Sequence, residues 1–130
     1  MKTDKQIKGA LGEDAVCTEL ERRGHRIIKR NYRRRSGEID IISEIGENIV
    51  FTEVKARRTG SMVPGSEAVD FAKKKKIIMT ADIYLSENPS DLYVRYDIAE
   101  VELTKGSVPR VVGVEIYEDA FDTEGIYTIN

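Results

Sequence analysis

Residues 37–57 read GEIDIISEIGENIVFTEVKAR: two runs rich in β-branched residues, Glu38 to Ile45 and Asn48 to Arg57, separated by Gly46-Glu47. A two-residue connection with a glycine predicts a tight β-hairpin, because glycine reaches the positive φ that such turns require. Turning there pairs Ile45 with Asn48 and thereby sets the other pairs: Asp40 faces Glu53, Glu38 faces Lys55, Ile39 faces Val54 and Ile41 faces Thr52. Side chains alternate along a strand, so Glu53 and Lys55 emerge on one face with Asp40 and Glu38, and the apolar pairs form a core-facing surface on the other.

Like charges directly opposite one another cost roughly 0.2 to 1 kcal/mol. A divalent cation between Asp40 and Glu53 removes that cost, since Mg²⁺ takes one or two carboxylates and completes its shell with water and phosphate oxygens. Such an ion polarises a phosphoryl oxygen and acidifies a bound water. Lys55 would then hold the attacking water or offset charge on the phosphorane. The alternative needs no metal: Lys55 pairs with Glu53 or Glu38 in a solvated salt-bridge ladder worth about 0 to 1 kcal/mol.

Upstream, Thr3 followed by Gln6 predicts a capping box opening a helix to about Arg23, with Gly24 as its left-handed cap. Gly9, Glu13, Val16 and Leu20 fall on one stripe of that helix. Glu13 is thus an acid among small and apolar neighbours, either a third member of the site or at the stripe's wet edge. His25 to Tyr32 reads as a short strand, followed by a basic turn through Arg33, Arg34, Arg35, Ser36 and Gly37. His25 follows a helix C-terminus, where a charged imidazole is mildly favourable, and Cys17 is expected to serve packing.

Downstream, Thr59 to Gly65 reads as a loop, and Ser66 is expected to cap a second helix, with Glu67 in its first turn, that Asn88-Pro89 stops. Its core stripe is Ile77, Ile78, Ala81 and Leu85. Lys73 to Lys76 cover a full turn, so one lysine must face the sheet, and Lys73 is preferred over Lys74 as a phosphate clamp. Leu92 to Leu103 and Arg110 to Tyr117 read as two more strands, with a bulge near Ala99. Helix, three strands, helix, two strands implies an α/β fold, a central mixed sheet flanked by helices, as one domain over residues 1–130.

Charged residues make up 34% of the chain and hydrophobic ones 40%, enough to build a core. The net charge of −2 conceals an asymmetry: Met1 to Leu85 carries 18 Lys and Arg against 13 acids, and Ser86 to Asn130 carries 3 against 10. The basic half suits a polyanion. One cysteine and one histidine exclude an internal disulfide and a thiolate zinc cage, leaving oxygen ligands for any metal. With no apolar span and no signal-peptide core, the expectation is a cytoplasmic protein with no membrane association.

Glu13, the GEID of residues 37–40 and the FTEVKAR of residues 51–57 together resemble the PD-(D/E)XK nuclease superfamily. With Gly12, Arg30-Asn31-Tyr32, Lys73 and Arg95-Tyr96-Asp97 added, nearly the whole chain is similar to the bacterial YraN-like family. The resemblance implies a restriction-endonuclease-like αβββαβ core, with Holliday-junction resolvases among its relatives. It also implies Asp40 and Glu53 as metal ligands, Lys55 as the catalytic lysine and Glu13 as a supporting acid. Two positions depart from pattern: Ile39 stands where the superfamily name has proline, and Thr52 where YraN-like proteins tend to carry valine.

Three function classes follow. The first is a Mg²⁺- or Mn²⁺-dependent endonuclease acting on nucleic acid, DNA ahead of RNA, with Arg33, Arg34, Arg35, Arg57, Arg58 and Lys73 on backbone phosphates. A non-catalytic nucleic-acid-binding module is the second, and an assembly role for the acidic C-terminal half is the third. A homodimer through Phe121, Ile126 and Tyr127, read as exposed apolar residues, would suit a two-fold DNA substrate.

Overall fold

The computed structural model describes residues 3–60 and 69–127. Helix α1 (Asp4–Arg22) is followed by strands β1 (Arg26–Arg34), β2 (Gly37–Ile45) and β3 (Asn48–Arg58), helix α2 (Phe71–Glu87), and strands β4 (Tyr93–Leu103) and β5 (Val111–Phe121). The five strands lie in sequence order in one mixed sheet, antiparallel except for β3 beside β4. Parallel neighbours need a long crossover, and α2 provides it. The αβββαβ order is that of the restriction-endonuclease-like core, with β5 added as an edge strand.

Local chemistry explains the ends. The Gln6 N–H donates to Thr3 Oγ1 at 3.2 Å and the Thr3 N–H to Gln6 Oε1 at 2.8 Å, the expected capping box. At the other end Gly24 takes φ +102°, and the His25 N–H returns to the Leu20 carbonyl at 2.9 Å. Helix α2 starts later than its serine suggested. Asp70 is its N-cap, accepting from the Lys73 N–H at 2.9 Å, and Val69 before it is not helical. Ser66 and Glu67 lie outside the described residues, as does most of the Thr59 to Gly65 loop.

Both faces of the sheet are covered. Facing α2 are Tyr32, Ile39, Ile42, Ile49, Phe51 and Ile98, packed on Ile77, Ile78, Ala81 and Tyr84. Val16, Cys17 and Leu20 of α1 cover Ile41, Ala99, Val101 and Leu103 on the opposite face. The expectation that Ile39 and Ile41 share a core face is therefore wrong. Asn31 of β1, which lies between the paired residues Arg30↔Ile41 and Tyr32↔Ile39, takes φ +53°, and the alternation breaks there. The bulge expected near Ala99 is also absent: β4 pairs without a break from Asn48↔Tyr93 to Arg58↔Leu103, and its apolar residues on both faces had mimicked one. The irregularities belong to β5, whose register against β4 shifts opposite Tyr96 and Ile98, around Asp119 at φ +51°, and again opposite Glu102 and Leu103.

Four aromatic rings chain across the α2 face, Tyr32 to Tyr84 to Phe51 to Tyr96, and Phe121 stacks on Tyr96 at 5.2 Å. Phe121 is thus buried and Ile126 packs against the same core, so neither is the exposed apolar residue expected; Tyr127 is exposed. His25 is buried too, its Nδ1 2.9 Å from Ser43 Oγ, and burial lowers its pKa from the ordinary value, so the imidazole is neutral rather than charged. No helix among the described residues is long and apolar enough to cross a membrane.

Candidate active site

The β2–β3 ladder begins at Ile45↔Asn48, as the Gly46 turn dictates, and runs to Ile41↔Thr52. There it stops. The next residue of β2 is Asp40, and its Oδ2 accepts the main-chain N–H of Val54 at 2.8 Å. A carboxylate has replaced the carbonyl that would have continued the ladder, so the direct Asp40–Glu53 strand pair expected from the register does not form. On its other side β3 stays paired to β4 as far as Arg58. One edge of β3 is therefore held while the other parts from β2, opening a cleft of about 640 Å³.

Glu13, Asp40 and Glu53 line that cleft. Glu53 is 5% exposed, a degree of burial that a carboxylate tolerates only with partners, and two ammonium groups approach its Oε1: Lys55 at 3.7 Å and Lys73 at 3.5 Å. Lys73 comes from the first turn of α2, so the lysine run does send a member inward. Its neighbour Lys74 lies over the Phe121 ring instead, 5.8 Å from its centroid. Asp40 is half-buried, and its pKa is pushed up to about 8, first by burial and then by the negative charge of Glu53, despite the Val54 hydrogen bond pulling the other way.

Glu13 is held by a residue that sequence reading gave no role. The Asn31 amide donates to both Glu13 oxygens, at 3.0 and 2.9 Å, and to Glu38 Oε1 at 3.1 Å. Asparagine tolerates the left-handed backbone better than most residues, and that conformation aims its side chain at α1. The adjacent Arg30 bridges Asp14 at 2.8 Å and Glu13 at 3.4 Å. Two signals hinted at this: Asn31 belongs to the Arg30-Asn31-Tyr32 run that shares in the family resemblance, and an asparagine inside a strand is unfavourable and invites a local reason.

The remaining basic residues divide. Arg33 and Arg34 are strand residues rather than turn residues, since β1 pairs through Arg34↔Gly37 and leaves Arg35-Ser36 as the turn. Arg33 meets Glu38 at 3.2 Å; Arg34 meets Glu87 at 2.9 Å and lies 4.2 Å over the Tyr32 ring; Arg35 is exposed. Arg57 is engaged with Glu100 of β4, its side chain only 14% exposed, which leaves it less suited to phosphate than expected. Arg58 lines the cleft.

Among the described residues no three His, Cys, Asp or Glu side chains are gathered closely enough to enclose a metal ion by themselves. The donor set that is present, two carboxylates of which Asp40 has its pKa raised by burial and by the charge of Glu53, suits a hard oxygen-loving cation that keeps water and substrate oxygens in its shell. A thiolate- or imidazole-loving metal does not fit, because Cys17 packs in the α1 core and His25 bonds Ser43.

Comparison with known proteins places the chain. Residues 12–101 match the model of the uncharacterised protein family UPF0102. A UPF0102 protein of Desulforapulum autotrophicum is 40% identical over 125 residues, covering 95% of this chain and all of that protein. UPF0102 proteins of Caldanaerobacter subterraneus subsp. tengcongensis and Acetivibrio thermocellus are each 39% identical, over 78% and 92% of this chain and 84% and 95% of their own lengths. Glu13, Asp40, Glu53, Lys55 and Lys73 all lie within the matched segment, and the chain belongs to the UPF0102 family.

Proposed function

We propose that the protein is a Mg²⁺- or Mn²⁺-dependent endonuclease that hydrolyses nucleic-acid phosphodiesters, DNA in preference to RNA. The observation that carries this reading is the convergence of Asp40 from β2, Glu53 and Lys55 from β3, and Lys73 from α2 where β3 parts from β2. Buried like charges and unpaired strand edges are both costly, and a fold that needed neither for function would have closed the ladder.

Asp40 and Glu53 would hold the cation. Once bound, it supplies Lewis acidity towards a phosphoryl oxygen and a water of lowered pKa. Lys55, its ammonium group 3.7 Å from Glu53, donates to the non-bridging oxygens as charge develops on them. Lys73, reaching in from α2, acts as a point charge on a neighbouring phosphate. Glu13, fixed by Asn31 and Arg30, sets the field behind Asp40. Arg33, Arg34, Arg35 and Arg58 meet the backbone away from the reacting group. A preference for branched DNA rests on the superfamily resemblance alone.

A second reading, a binding module without catalysis, has one observation in its favour: Lys55 and Lys73 already neutralise Glu53 without a metal. The two separate on labelled linear, flapped, four-way-junction and single-stranded DNA and RNA, incubated with Mg²⁺, Mn²⁺ or chelator, with wild type beside Asp40→Asn. Metal-dependent cleavage lost in the variant supports the nuclease. Equal background in both proteins, with salt-sensitive binding retained, supports the binding module.

A further inference from the structure

Helix α1 is anchored to the sheet at one end only. A Cβ added at Gly12 would sit 3.6 Å from Val54 Cγ1 and 3.7 Å from Ala56 Cβ, ordinary van der Waals contact, and Val16 and Leu20 further along are fully buried. Gly9, less than one turn earlier, has nothing within 4 Å of the same added atom. The helix therefore lifts away from β3 towards its N-terminus, and the gap beneath it is the outer part of the cleft. Val54, Ala56 and Leu103 supply apolar surface there; Lys5 and Lys8 on the helix and Arg58 on the strand supply basic groups; Glu13, Asp40 and Glu53 line the same cleft.

We propose that this wedge is a subsite for one unpaired nucleotide next to the scissile phosphodiester, an inference that rests on the nuclease reading above. Cations at the rim match the phosphates on either side of a nucleotide, while the apolar surface matches the face of a sugar or base and has no use for a metal or a small anion. Within a duplex, the face of a base is covered by its stacked neighbours. Only a nucleotide released from pairing can present that face to the wedge. Neither the acid-and-lysine motif nor the basic runs point to Lys5, Lys8 or Gly9, which share one face of α1 at spacings of three and four and line the cleft together.

The test fills the wedge without altering its charge. Gly9→Leu projects a side chain into the open space, and Gly9→Ala gives the same gain in helix propensity while leaving the space open. Both variants, each carrying Asp40→Asn to prevent turnover, are titrated in chelator with a fluorescent oligothymidylate and with a blunt duplex of equal length. Expected is a loss of about ten-fold or more in single-strand affinity for Gly9→Leu, with Gly9→Ala matching the parent and duplex affinity unchanged in both. Unchanged single-strand affinity in Gly9→Leu overturns the subsite. So does an equal loss on both substrates, which would make the wedge a general backbone groove. Absence of metal-dependent cleavage by the wild type strikes at the nuclease reading instead, so the two failures are told apart.

Discussion

The Asp40 carboxylate accepts the Val54 main-chain N–H at 2.8 Å, so a side chain of β2 completes hydrogen bonding that its main chain abandons after Ile41↔Thr52. Asp40 thus has two jobs that substitutions can separate. Asparagine keeps an acceptor for Val54 and removes the charge; alanine removes both. In metal-free buffer Asp40→Asn should melt at or above the wild-type temperature, whereas Asp40→Ala should lose about 1 to 3 kcal/mol through the stranded N–H. Both should lose metal-dependent cleavage. Equal melting temperatures for the two variants would show that the Val54 contact contributes nothing to stability.

Stability of the metal-free protein should fall as pH rises towards 8. Burial and Glu53 raise the Asp40 pKa to about 8 in the fold, above its ordinary 3.8. A raised acid binds its proton more tightly when folded, so its contribution is complete below the unfolded value and lost as pH climbs through the folded one. His25 slopes the other way, but only below its ordinary 6.5. Between pH 6.5 and 8, melting curves in chelator should therefore decline, by an amount on the order of 1 kcal/mol or more, and Mn²⁺ should restore more at pH 8 than at pH 6.5. Glu53→Gln should flatten the decline.

Lys55 and Lys73 approach the same Glu53 oxygen from different elements, and their replacement should not have the same kinetic signature. Lys55→Ala should lower kcat by about a hundred-fold or more with little change in KM, as befits a group that acts on developing charge. Lys73→Ala should mainly raise KM, as befits a clamp on ground-state phosphate. Each single replacement leaves Glu53 the other ammonium, so either should cost about 1 to 3 kcal/mol of stability, and the double replacement more.

Asn31 at φ +53° allows backbone and side chain to be tested apart. Glycine accepts that backbone readily, so Asn31→Gly should leave the melting temperature within a few degrees of wild type. It should nevertheless lower cleavage about ten-fold, because Glu13 and Glu38 lose the amide that joins them. Asn31→Asp would gather three carboxylates and should be less stable at pH 8 than at pH 5. Wild-type cleavage by Asn31→Gly would leave Asn31 with a purely local role.

Replacing Arg33 and Arg35 together by glutamine should weaken nucleic-acid binding to a similar degree for every sequence. The slope of log affinity against log salt should shrink by about one to two units. An unchanged slope would place the backbone contacts elsewhere.

Much of this arrangement was legible in the hairpin. Gly46 takes φ +54°, and the pairing that follows from its position is observed from Ile45↔Asn48 to Ile41↔Thr52, one position short of Asp40 and Glu53. Lys73 was legible as well, since four consecutive lysines on a helix cannot all avoid the sheet. What the pattern could not carry was the end of the ladder, because that depends on a side chain displacing main chain, and periodicity records only alternation. Asp70 caps α2 and Ser66, four residues earlier, offers the same chemistry, so residue type alone does not choose between them. Strand β4 looked bulged because both its faces are buried, a condition a two-state pattern of in and out does not express.

The outer half of β3 takes its main-chain partner from β4 alone, and each partner stands 45 positions later, Glu53 with Ile98 and Arg58 with Leu103. On the ribosome, the hairpins of β1, β2 and β3 can form as soon as they emerge. The half-strand that carries Glu53 and Lys55 must wait until residue 103 has cleared the exit tunnel. A nascent or prematurely ended chain therefore carries Glu53 and Lys55 on a half-strand with no main-chain partner, and the cleft takes its shape only when synthesis of this sheet is nearly finished.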